Sequence, residues 1–371
     1  MTAQPPGRPP HWQGQLVEVD RVETQDPAAL VAFLEAHGLA GEPGSQTGDI
    51  GVALLLGARG CAQLSSVPVG AASPVRVPEC VGIAYRLGGD LGLAPGAAAV
   101  GEWACSWQDS EHAAAVEAVR QAISRGDVYQ ANVVGHRSAP FTGDPLALAA
   151  ALHDLPGAVY GGWVASRGAG QDWVVASASP EQLVSVSGDR VTTVPIKGTS
   201  SDPDLLKQSV KDRAEHVMIV DLARNDLARV TLAGSVEVEQ LYEVSEWAGV
   251  WHAGSRVAGQ LSPGVGTADV LRALAPGGSV TGAPKHAACE LLAGLEAVGR
   301  GPAMGALGFV WPGGLNLGLT IRTVALADGA AHLWAGGGIT WSSDPEQEVQ
   351  EAHAKARPVM RALAQVRPSA S

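Results

Sequence analysis

One stretch near the middle of the chain brings together residue types that support acid–base and nucleophilic chemistry. Residues 177–230 contain Glu181 after Ser-Pro, Lys197 before Gly198, and Glu215. A lysine amine becomes a nucleophile when desolvation or a neighbouring charge lowers its pKa from about 10.4. A carboxyl group becomes a general acid or base when its surroundings raise its pKa. Taken singly, each residue could also be an exposed charge, which is the commoner situation for Lys and Glu.

A second group of carboxylates lies near the carboxyl end of the sequence. Asp344-Pro345 is typical of a helix N-terminus, and Glu348, Glu351 and Lys355 follow at helical spacing, so all three project from one face. Glu215 belongs to a different helix, so spacing alone does not show that the carboxylates meet. A solvated helix face is the alternative. If they do meet, they suit Mg²⁺, which prefers a few carboxylates, water and a substrate group.

Three further features could bind an anion. Arg322 lies on a strand face that otherwise carries small and polar residues, and its guanidinium suits a bidentate grip on a carboxylate. The glycines at 336–338 could let backbone amides approach the same anion, although a glycine run is also typical of a turn. His252, by itself, is more typical of a satisfied interior histidine than of a catalyst. The segment GSVTGAPK lacks the Gly-Lys-Ser/Thr ending of a phosphate-binding loop, and no GxGxxG follows a strand.

The elements that must position these residues are hairpins and helices in alternation. Segments 182–187 and 190–196 flank Gly188-Asp189 and predict a hairpin. Asp202-Pro203 predicts the start of a helix that continues past Glu215. Its buried stripe is expected to consist of Leu206, Val210, Arg213, Val217 and Val220.

Farther along the chain, residues 276–285 form a glycine-rich loop, and residues 315–326 alternate as one long strand after a hairpin turn at Gly313-Gly314. Antiparallel hairpins with intervening helices predict a mixed α+β fold rather than a parallel doubly wound sheet.

Composition narrows the class of protein. The chain has 371 residues, 46% of them hydrophobic and 17% charged, which is typical of a globular protein. Its net charge of −12 argues against a nucleic-acid partner, because phosphate contacts need clustered Lys and Arg. Four dispersed cysteines form no CxxC pair, and no apolar run is long enough to span a membrane. We therefore expect a cytoplasmic protein that binds neither nucleic acid nor membrane.

Taken together, these segments resemble the chorismate-utilising enzymes, which include anthranilate synthase component I, aminodeoxychorismate synthase component I, and the isochorismate and salicylate synthases. The matching motifs occur in the family's order, from about Ser110 to Arg361. They are DVYQAN at 127–132, ASPE at 178–181, PIKGT at 195–199, EHVMIVDLARNDLARV at 215–230, His252, PGGSVTGAPK at 276–285, IRT at 321–323 and residues 336–355.

The resemblance implies a fold and a division of the chain. The family fold is a single α/β unit in which two antiparallel sheets pack together with helices outside. We expect residues 1–371 to form one chorismate-binding unit, with a shortened N-terminal portion at 1–109 and a catalytic core at 110–365.

The resemblance also assigns roles to residues. Mg²⁺ is expected on Glu215 and Glu351, with Glu348 nearby, where it would hold the ring carboxylate of chorismate. Arg322 and the amides around Gly338 would hold the enolpyruvyl carboxylate. The other expected catalytic and substrate-binding residues are Glu181, Lys197, Gly198, Thr199, His252, Phe309 and Lys355. Phe309 stands where many members have Tyr.

Two positions distinguish the activities within the family. Isochorismate and salicylate synthases carry a water-activating lysine where this chain has Gln130, which disfavours water addition. Anthranilate synthases usually have Ala at the position of Lys197, whereas aminodeoxychorismate synthases have the lysine. The implied activity is therefore aminodeoxychorismate synthase component I, a transaminase-class enzyme that aminates chorismate through a covalent Lys197 intermediate. No tryptophan-binding motif of the anthranilate synthases is found.

Ammonia is the second expected substrate, and a separate glutamine amidotransferase subunit is the expected partner that supplies it. Alternatives are anthranilate or aminodeoxyisochorismate formation, and a catalytically weak chorismate-binding protein. The chain departs from the family at Ser200-Ser201-Asp202, where an Arg-Pro-Arg run is usual, and at Ala228, where Gly is usual.

Overall fold

The computed structural model describes residues 3–4, 16–43, 48–87, 96–166, 172–200, 202–247 and 250–366. Within these ranges the strands are β1 (Ala3–Gln4), β2 (Leu16–Thr24), β3 (Ile50–Leu56), β4 (Cys80–Leu87), β5 (Ala98–Val100), β6 (Ala104–Cys105), β7 (Gln130–Gly143), β8 (Gly162–Ser166), β9 (Trp173–Ser177), β10 (Gln182–Ser187), β11 (Arg190–Val194), β12 (Ile196–Ser200), β13 (Glu237–Trp247), β14 (Val250–Gln260), β15 (Gly282–Ala283), β16 (Ala306–Trp311), β17 (Gly314–Leu319), β18 (Thr323–Ala327) and β19 (Ala330–Ile339). The α-helices are α1 (Pro27–Ala36), α2 (Ala58–Leu64), α3 (Asp109–Arg125), α4 (Pro145–His153), α5 (Pro203–Gln208), α6 (Val210–Ala228), α7 (Thr267–Leu274), α8 (Lys285–Leu295) and α9 (Pro345–Ala364).

The strands form two antiparallel sheets, as the sequence predicted. The nine-stranded sheet has the order β1-β8-β9-β18-β19-β7-β15, with β5 and β6 also paired to β7. The ten-stranded sheet has the order β12-β14-β11-β10-β17-β16-β3-β4-β2, with β13 also paired to β14. The mixed α+β fold class is thereby confirmed.

Two of the connections that carry the chain between the two sheets lie next to one another. Residues 178–181 connect β9 of the nine-stranded sheet to β10 of the ten-stranded sheet, and residues 320–322 connect β17 back to β18. The two crossings run side by side because Ala178 N donates to Arg322 O at 3.1 Å and Leu319 N donates to Glu181 O at 3.0 Å. Two predicted site residues, Glu181 and Arg322, therefore lie at the junction of the sheets.

The second crossing corrects the prediction of one long strand at 315–326. The apolar alternation is real on both sides, but the strand breaks at residues 320–322, where Arg322 has φ of +51°. Each half pairs in a different sheet, so the alternation continues through a change of partner. A periodic pattern cannot reveal this, because both halves have one buried face.

The helix expected from Asp202 is also corrected. It is two helices, α5 and α6, separated at Ser209. The Asp202 carboxylate caps α5 by accepting from Asp204 N at 2.8 Å. In the predicted stripe Leu206 and Val220 are buried, but Val217 is 53% exposed, and His216 and Ile219 are buried instead. The new register follows from the break at Ser209.

Other boundaries differ less. The strand predicted to begin at Asp127 begins at Gln130 and continues to Gly143, and the strand predicted at 190–196 ends at Val194, with β12 beginning at Ile196. The loop at 276–285 contains a short 3₁₀ turn, Gly278–Val280, and the edge strand β15. None of the helices in the described ranges is long and apolar enough to cross a membrane.

The main hydrophobic core joins the two sheets. It includes Leu54, Leu307 and Leu317 of the ten-stranded sheet together with Val175 and Trp334 of the nine-stranded sheet. Smaller clusters lie under α4 and α9 and between α3 and α8. The packing of both sheets on one core holds the crossing segments, and thus the candidate site, in a fixed position.

Candidate active site

Glu181 lies at the first crossing between the sheets and is 4% exposed. Its Oε1 atom accepts a hydrogen bond from Ser279 Oγ at 2.7 Å. Burial raises the pKa of the Glu181 carboxyl to about 7, against the lowering effects of the Ser279 hydrogen bond and the positive charges of Lys197 and Lys355. A carboxyl with this pKa can both donate and accept a proton near neutral pH.

Lys197 is presented by a local irregularity in strand β12. Pairing of β12 with β14 shifts register between Lys197 and Thr199, and Gly198 between them has φ of +71°, a conformation that favours glycine. Burial lowers the pKa of the Lys197 amine, and the charge of Lys355 lowers it further. The carboxylates of Glu215, Glu351 and Glu181 oppose this shift. The amine therefore lies within electrostatic reach of Glu181, Glu215 and Glu351.

The amine of Lys197 points at the glycine run of β19. A Cβ atom at Gly338 would lie 2.5 Å from both Lys197 Nζ and Gln130 Nε2, so a larger residue would displace one of them. Gln130 is fully buried, and neither atom of its side-chain amide has a hydrogen-bond partner among the described residues. Two buried polar atoms without partners beside a lysine amine are typical of a site that receives a polar ligand. The glycine run lies in a strand, which corrects the alternative of a turn.

His252 and Arg322 form one continuous polar contact with Gly198. His252 Nδ1 lies 3.3 Å from Gly198 O, and Arg322 lies 3.4 Å from His252 Nε2 through one guanidinium nitrogen. Burial, with the Arg322 charge, lowers the pKa of His252 to about 4, so the imidazole is neutral near pH 7. The geometry requires Nδ1–H to donate to the carbonyl and Nε2 to accept from Arg322. His252 thus orients a partly buried guanidinium.

The three carboxylates predicted to meet come from α6 and α9. At Gly337, a Cβ atom would lie 2.9 Å from Glu348 Oε2, 3.7 Å from Lys355 Nζ and 4.0 Å from Glu351 Oε1, so the predicted helix face points at β19. Lys355 Nζ donates to Glu351 Oε1 at 2.7 Å and to Gly336 O at 3.0 Å.

Glu215 reaches the same region from α6. Its Oε1 accepts from Thr340 Oγ1, just beyond the end of β19, at 3.1 Å.

Among the described residues, no group of three or more His, Cys, Asp or Glu side chains is arranged to hold a metal ion. A magnesium ion here would have to be held by one or two carboxylates. Mg²⁺ usually takes one or two carboxylates and completes its shell with water and substrate oxygens. Carboxylates on two helices that face one glycine strand provide such ligands.

For two of the predicted substrate-binding residues, Phe309 and Thr199, no contact with the other site side chains is described. The ring of Phe309 is fully buried in the main core and lies over Gly51 of β3. That Phe309 borders the substrate stays a prediction. Thr199 pairs with His252 in the β12–β14 ladder, but its side chain lies outside what the structure describes.

Three hydroxyl residues that support the acidic groups were not predicted. Ser279 donates to Glu181, Thr340 donates to Glu215, and Ser343 Oγ donates to Glu348 Oε1 at 2.6 Å. Ser279 belongs to the glycine-rich motif at 276–285, one of the eight matching motifs, so the sequence could have indicated that it lies at the site. Thr340 and Ser343 lie in a turn whose sequence carries no such signal.

Comparisons with known proteins agree with this geometry. The family description of chorismate binding enzymes matches residues 89–361. Anthranilate synthase component 1 of Streptomyces coelicolor is 39% identical over 272 residues, which covers 70% of this chain and 53% of that protein. Aminodeoxychorismate synthase component 1 of Bacillus subtilis is 34% identical over 274 residues, which covers 71% of this chain and 57% of that protein. The chain thus spans little more than half the length of these curated relatives.

A solved structure extends the likeness beyond the family match. Anthranilate synthase component I from Streptococcus pneumoniae superimposes with a TM-score of 0.77 at 25% sequence identity, over 94% of this chain and 92% of that chain. The similarity covers both sheets, so the whole described architecture is similar to that of this enzyme.

Proposed function

The chain belongs to the family of chorismate-binding enzymes, and we propose that it converts chorismate and ammonia to 4-amino-4-deoxychorismate, as an aminodeoxychorismate synthase component 1. The observation that carries this proposal is the placement of Lys197. Its amine lies beside Gln130 and Gly338, within electrostatic reach of Glu181, and burial lowers its pKa. A site that only bound chorismate would have no need of a desolvated amine in this position.

The first chemical step uses Lys197 and Glu181 together. The neutral amine attacks C2 of chorismate, the two conjugated ring double bonds shift, and the C4–O bond breaks. Glu181 gives its proton to the departing hydroxyl group, which leaves as water. The raised pKa of Glu181 keeps this proton available near pH 7.

The second step restores the lysine. Ammonia attacks C4, the two double bonds shift back, and the C2–N bond to Lys197 breaks. The nitrogen added at C4 loses one proton. The departing Lys197 amine accepts this proton and passes it to the Glu181 carboxylate, which becomes neutral again. The sum of both steps is chorismate plus ammonia giving 4-amino-4-deoxychorismate plus water, so atoms and charge balance.

The remaining site residues bind and orient. Glu215 and Glu351, with Glu348 beside them, would hold Mg²⁺, which when bound supplies positive charge for the ring carboxylate. Arg322, oriented by His252, is suited to the enolpyruvyl carboxylate. Lys355 stays fixed on Glu351 and the Gly336 carbonyl, where its charge favours the neutral form of Lys197.

We also propose that ammonia comes from a separate glutamine amidotransferase subunit. The "component 1" in the names of the relatives supports a second component in those proteins. Free ammonium at alkaline pH should replace the partner less efficiently.

Anthranilate formation is the second candidate. The observation that favours it is the 39% identity to a protein named anthranilate synthase component 1. Lys197 argues against it, because the resemblance places Ala at this position in most anthranilate synthases.

The experiment incubates the purified protein with chorismate, Mg²⁺ and ammonium, with and without an added aminodeoxychorismate lyase, and identifies products by mass and fluorescence. We expect 4-aminobenzoate only when the lyase is present, and loss of turnover when a chelator removes the metal. Lys197→Ala should abolish product. Intact-protein mass should show a dehydrated chorismate adduct on the unsubstituted protein when ammonium is omitted.

The matched control is Lys207→Ala, which removes an exposed lysine paired with Asp204 on α5 and should leave turnover unchanged. Anthranilate formed without the lyase would assign the protein to the sister activity. Chorismate binding without turnover would overturn the proposal in favour of a binding protein.

A further inference from the structure

A buried ion pair lies beside the candidate site but is not part of it. Arg300 and Glu296 form a two-pronged contact, with Nε to Oε2 at 2.8 Å and Nη2 to Oε1 at 2.7 Å, and their side chains are 11% and 7% exposed. Both residues come from the end of α8 and the segment after it. A buried pair of this kind needs further hydrogen bonds to offset the cost of desolvation.

The further hydrogen bonds reach two separate segments of the chain. Arg300 Nη1 donates to Val280 O at 2.6 Å in the glycine-rich segment, and Nη2 donates to Asn132 O at 2.6 Å in β7. Glu296 Oε1 accepts from Val134 N at 2.9 Å, also in β7. A single ion pair therefore fastens the glycine-rich segment to β7.

These two segments each carry a residue of the site. Ser279, adjacent to Val280, donates to Glu181. Gln130, two residues before Asn132, faces Lys197 across Gly338. The segments also contact one another directly, because Asn132 N donates to Thr281 O at 2.8 Å. The carbonyls that Arg300 binds thus lie one residue from Ser279, which contacts Glu181, and two residues from Gln130, which faces Lys197.

We propose that Arg300 and Glu296 are positioning residues, which hold the glycine-rich segment against β7 so that Ser279 meets Glu181 and Gln130 meets Lys197. This inference rests on the proposed function in one respect, which is that Glu181 acts as the proton donor of the reaction. The planar guanidinium is essential to it, since one ammonium group cannot bind Glu296 in two places and also reach both carbonyls.

The test compares Arg300→Lys with Ser279→Ala in the purified protein with chorismate, Mg²⁺ and ammonium. Ser279→Ala removes a hydrogen bond that lowers the pKa of Glu181, so the alkaline limb of the pH–rate profile should move to higher pH. Arg300→Lys should move the same limb in the same direction and lower the rate by roughly tenfold to a hundredfold. The double variant should add little to either, because both act through one contact.

The control for a loss of stability alone is Arg21→Lys. Arg21 lies on β2, away from the candidate site. It binds the carboxylates of Glu18 and Glu23 and the carbonyl of Ala165. It should lower stability without moving the limb. A limb that stays in place in a folded Arg300→Lys variant, or fully additive effects in the double variant, would overturn the proposal.

Two measurements do not depend on the Arg300 variant. Glu296→Gln keeps the side-chain shape and should also shift the limb. In the unsubstituted protein, hydrogen exchange at the amides of Asn132 and Val134 should be slow, and rapid exchange at both would contradict the inference. If the product is anthranilate, the proposed function fails, but the limb shift and the exchange result still decide the role of the ion pair.

Discussion

Glu181 and Lys197 show how burial can prepare two groups of opposite charge for one reaction. Removal from water disfavours the carboxylate and the ammonium alike, so the pKa of Glu181 rises to about 7 and that of Lys197 falls. Glu215 and Glu351 oppose the shift on Lys197, whereas Lys355 supports it. The result is an acid that retains its proton near pH 7 beside an amine that loses its proton more easily.

At this scale we predict the effect of Glu181→Gln. Turnover should fall by roughly a hundredfold to ten-thousandfold, because a positioned proton donor is lost. Stability should respond in the opposite direction. The carboxyl pKa is raised from 4.5 to about 7 in the folded state, so Glu181 weakens the unsubstituted protein as pH rises between these values, by up to about 3 kcal/mol.

Urea unfolding at pH 5 and pH 8 provides the measurement. The free energy of unfolding of the variant relative to the unsubstituted protein should increase from pH 5 to pH 8. Glu237→Gln, at an exposed carboxylate on β13, is the control and should show a much smaller change. Equal pH dependence in all three proteins would contradict the assignment of a raised pKa to Glu181.

At the scale of elements, strand β19 is the surface on which the site is assembled. Its glycines admit side chains from α9 at Gly337 and from β7 and β12 at Gly338. At Gly336 a Cβ would overlap the carbonyl of Val133 on β7, so the pairing of the strands requires glycine there as well. Because Gly337 and Gly338 have no side chains, they leave space that polar groups from α9, β7 and β12 fill.

We therefore predict that Gly338→Ala abolishes turnover while the protein stays folded. The new Cβ would lie 2.5 Å from Lys197 Nζ and Gln130 Nε2, so the Lys197 amine or the Gln130 amide must leave its place in the site. Gly294→Ala on α8 is the matched control, because nothing lies within 4 Å of its Cβ position. Steady-state kinetics and circular dichroism of both variants test this, and near-normal turnover of Gly338→Ala would show that the amine and the amide lie elsewhere.

At the scale of the whole molecule, the two sheets share their main core, and the chain passes between them at several crossings, two of which are adjacent. Glu181 and Arg322 occupy those crossings, so the site exists only where both sheets are in place. A unit built in this way should lose both sheets together.

We predict that unfolding is a single cooperative transition. Thermal unfolding followed by tryptophan fluorescence, which includes Trp173 and Trp334 of the nine-stranded sheet, should coincide with unfolding followed by far-ultraviolet circular dichroism. Val175→Ala, in the shared core, should lower both midpoints together. Two separated transitions, or a midpoint shift in one signal alone, would show that the sheets unfold independently.

The sequence by itself determined the kinds of residues and most of the local elements. The hairpin turn at Gly188-Asp189 and the helix starts at Asp202 and Asp344 depend on neighbours in the chain, so their patterns were sufficient. The face formed by Glu348, Glu351 and Lys355 follows from helix geometry alone. The family and its fold followed from the order of eight motifs.

Only the tertiary structure decided which residues meet. Gln130 and Gly338 are brought together by the pairing of β7 with β19, and Lys197 reaches them from β12 of the other sheet, an arrangement that no periodicity specifies. The switch of sheets at Arg322, the burial of Phe309 and the support of Glu181 by Ser279 also depend on partners from elsewhere. Alternation reports that a strand has one buried face, but not which strand it pairs with or what covers that face.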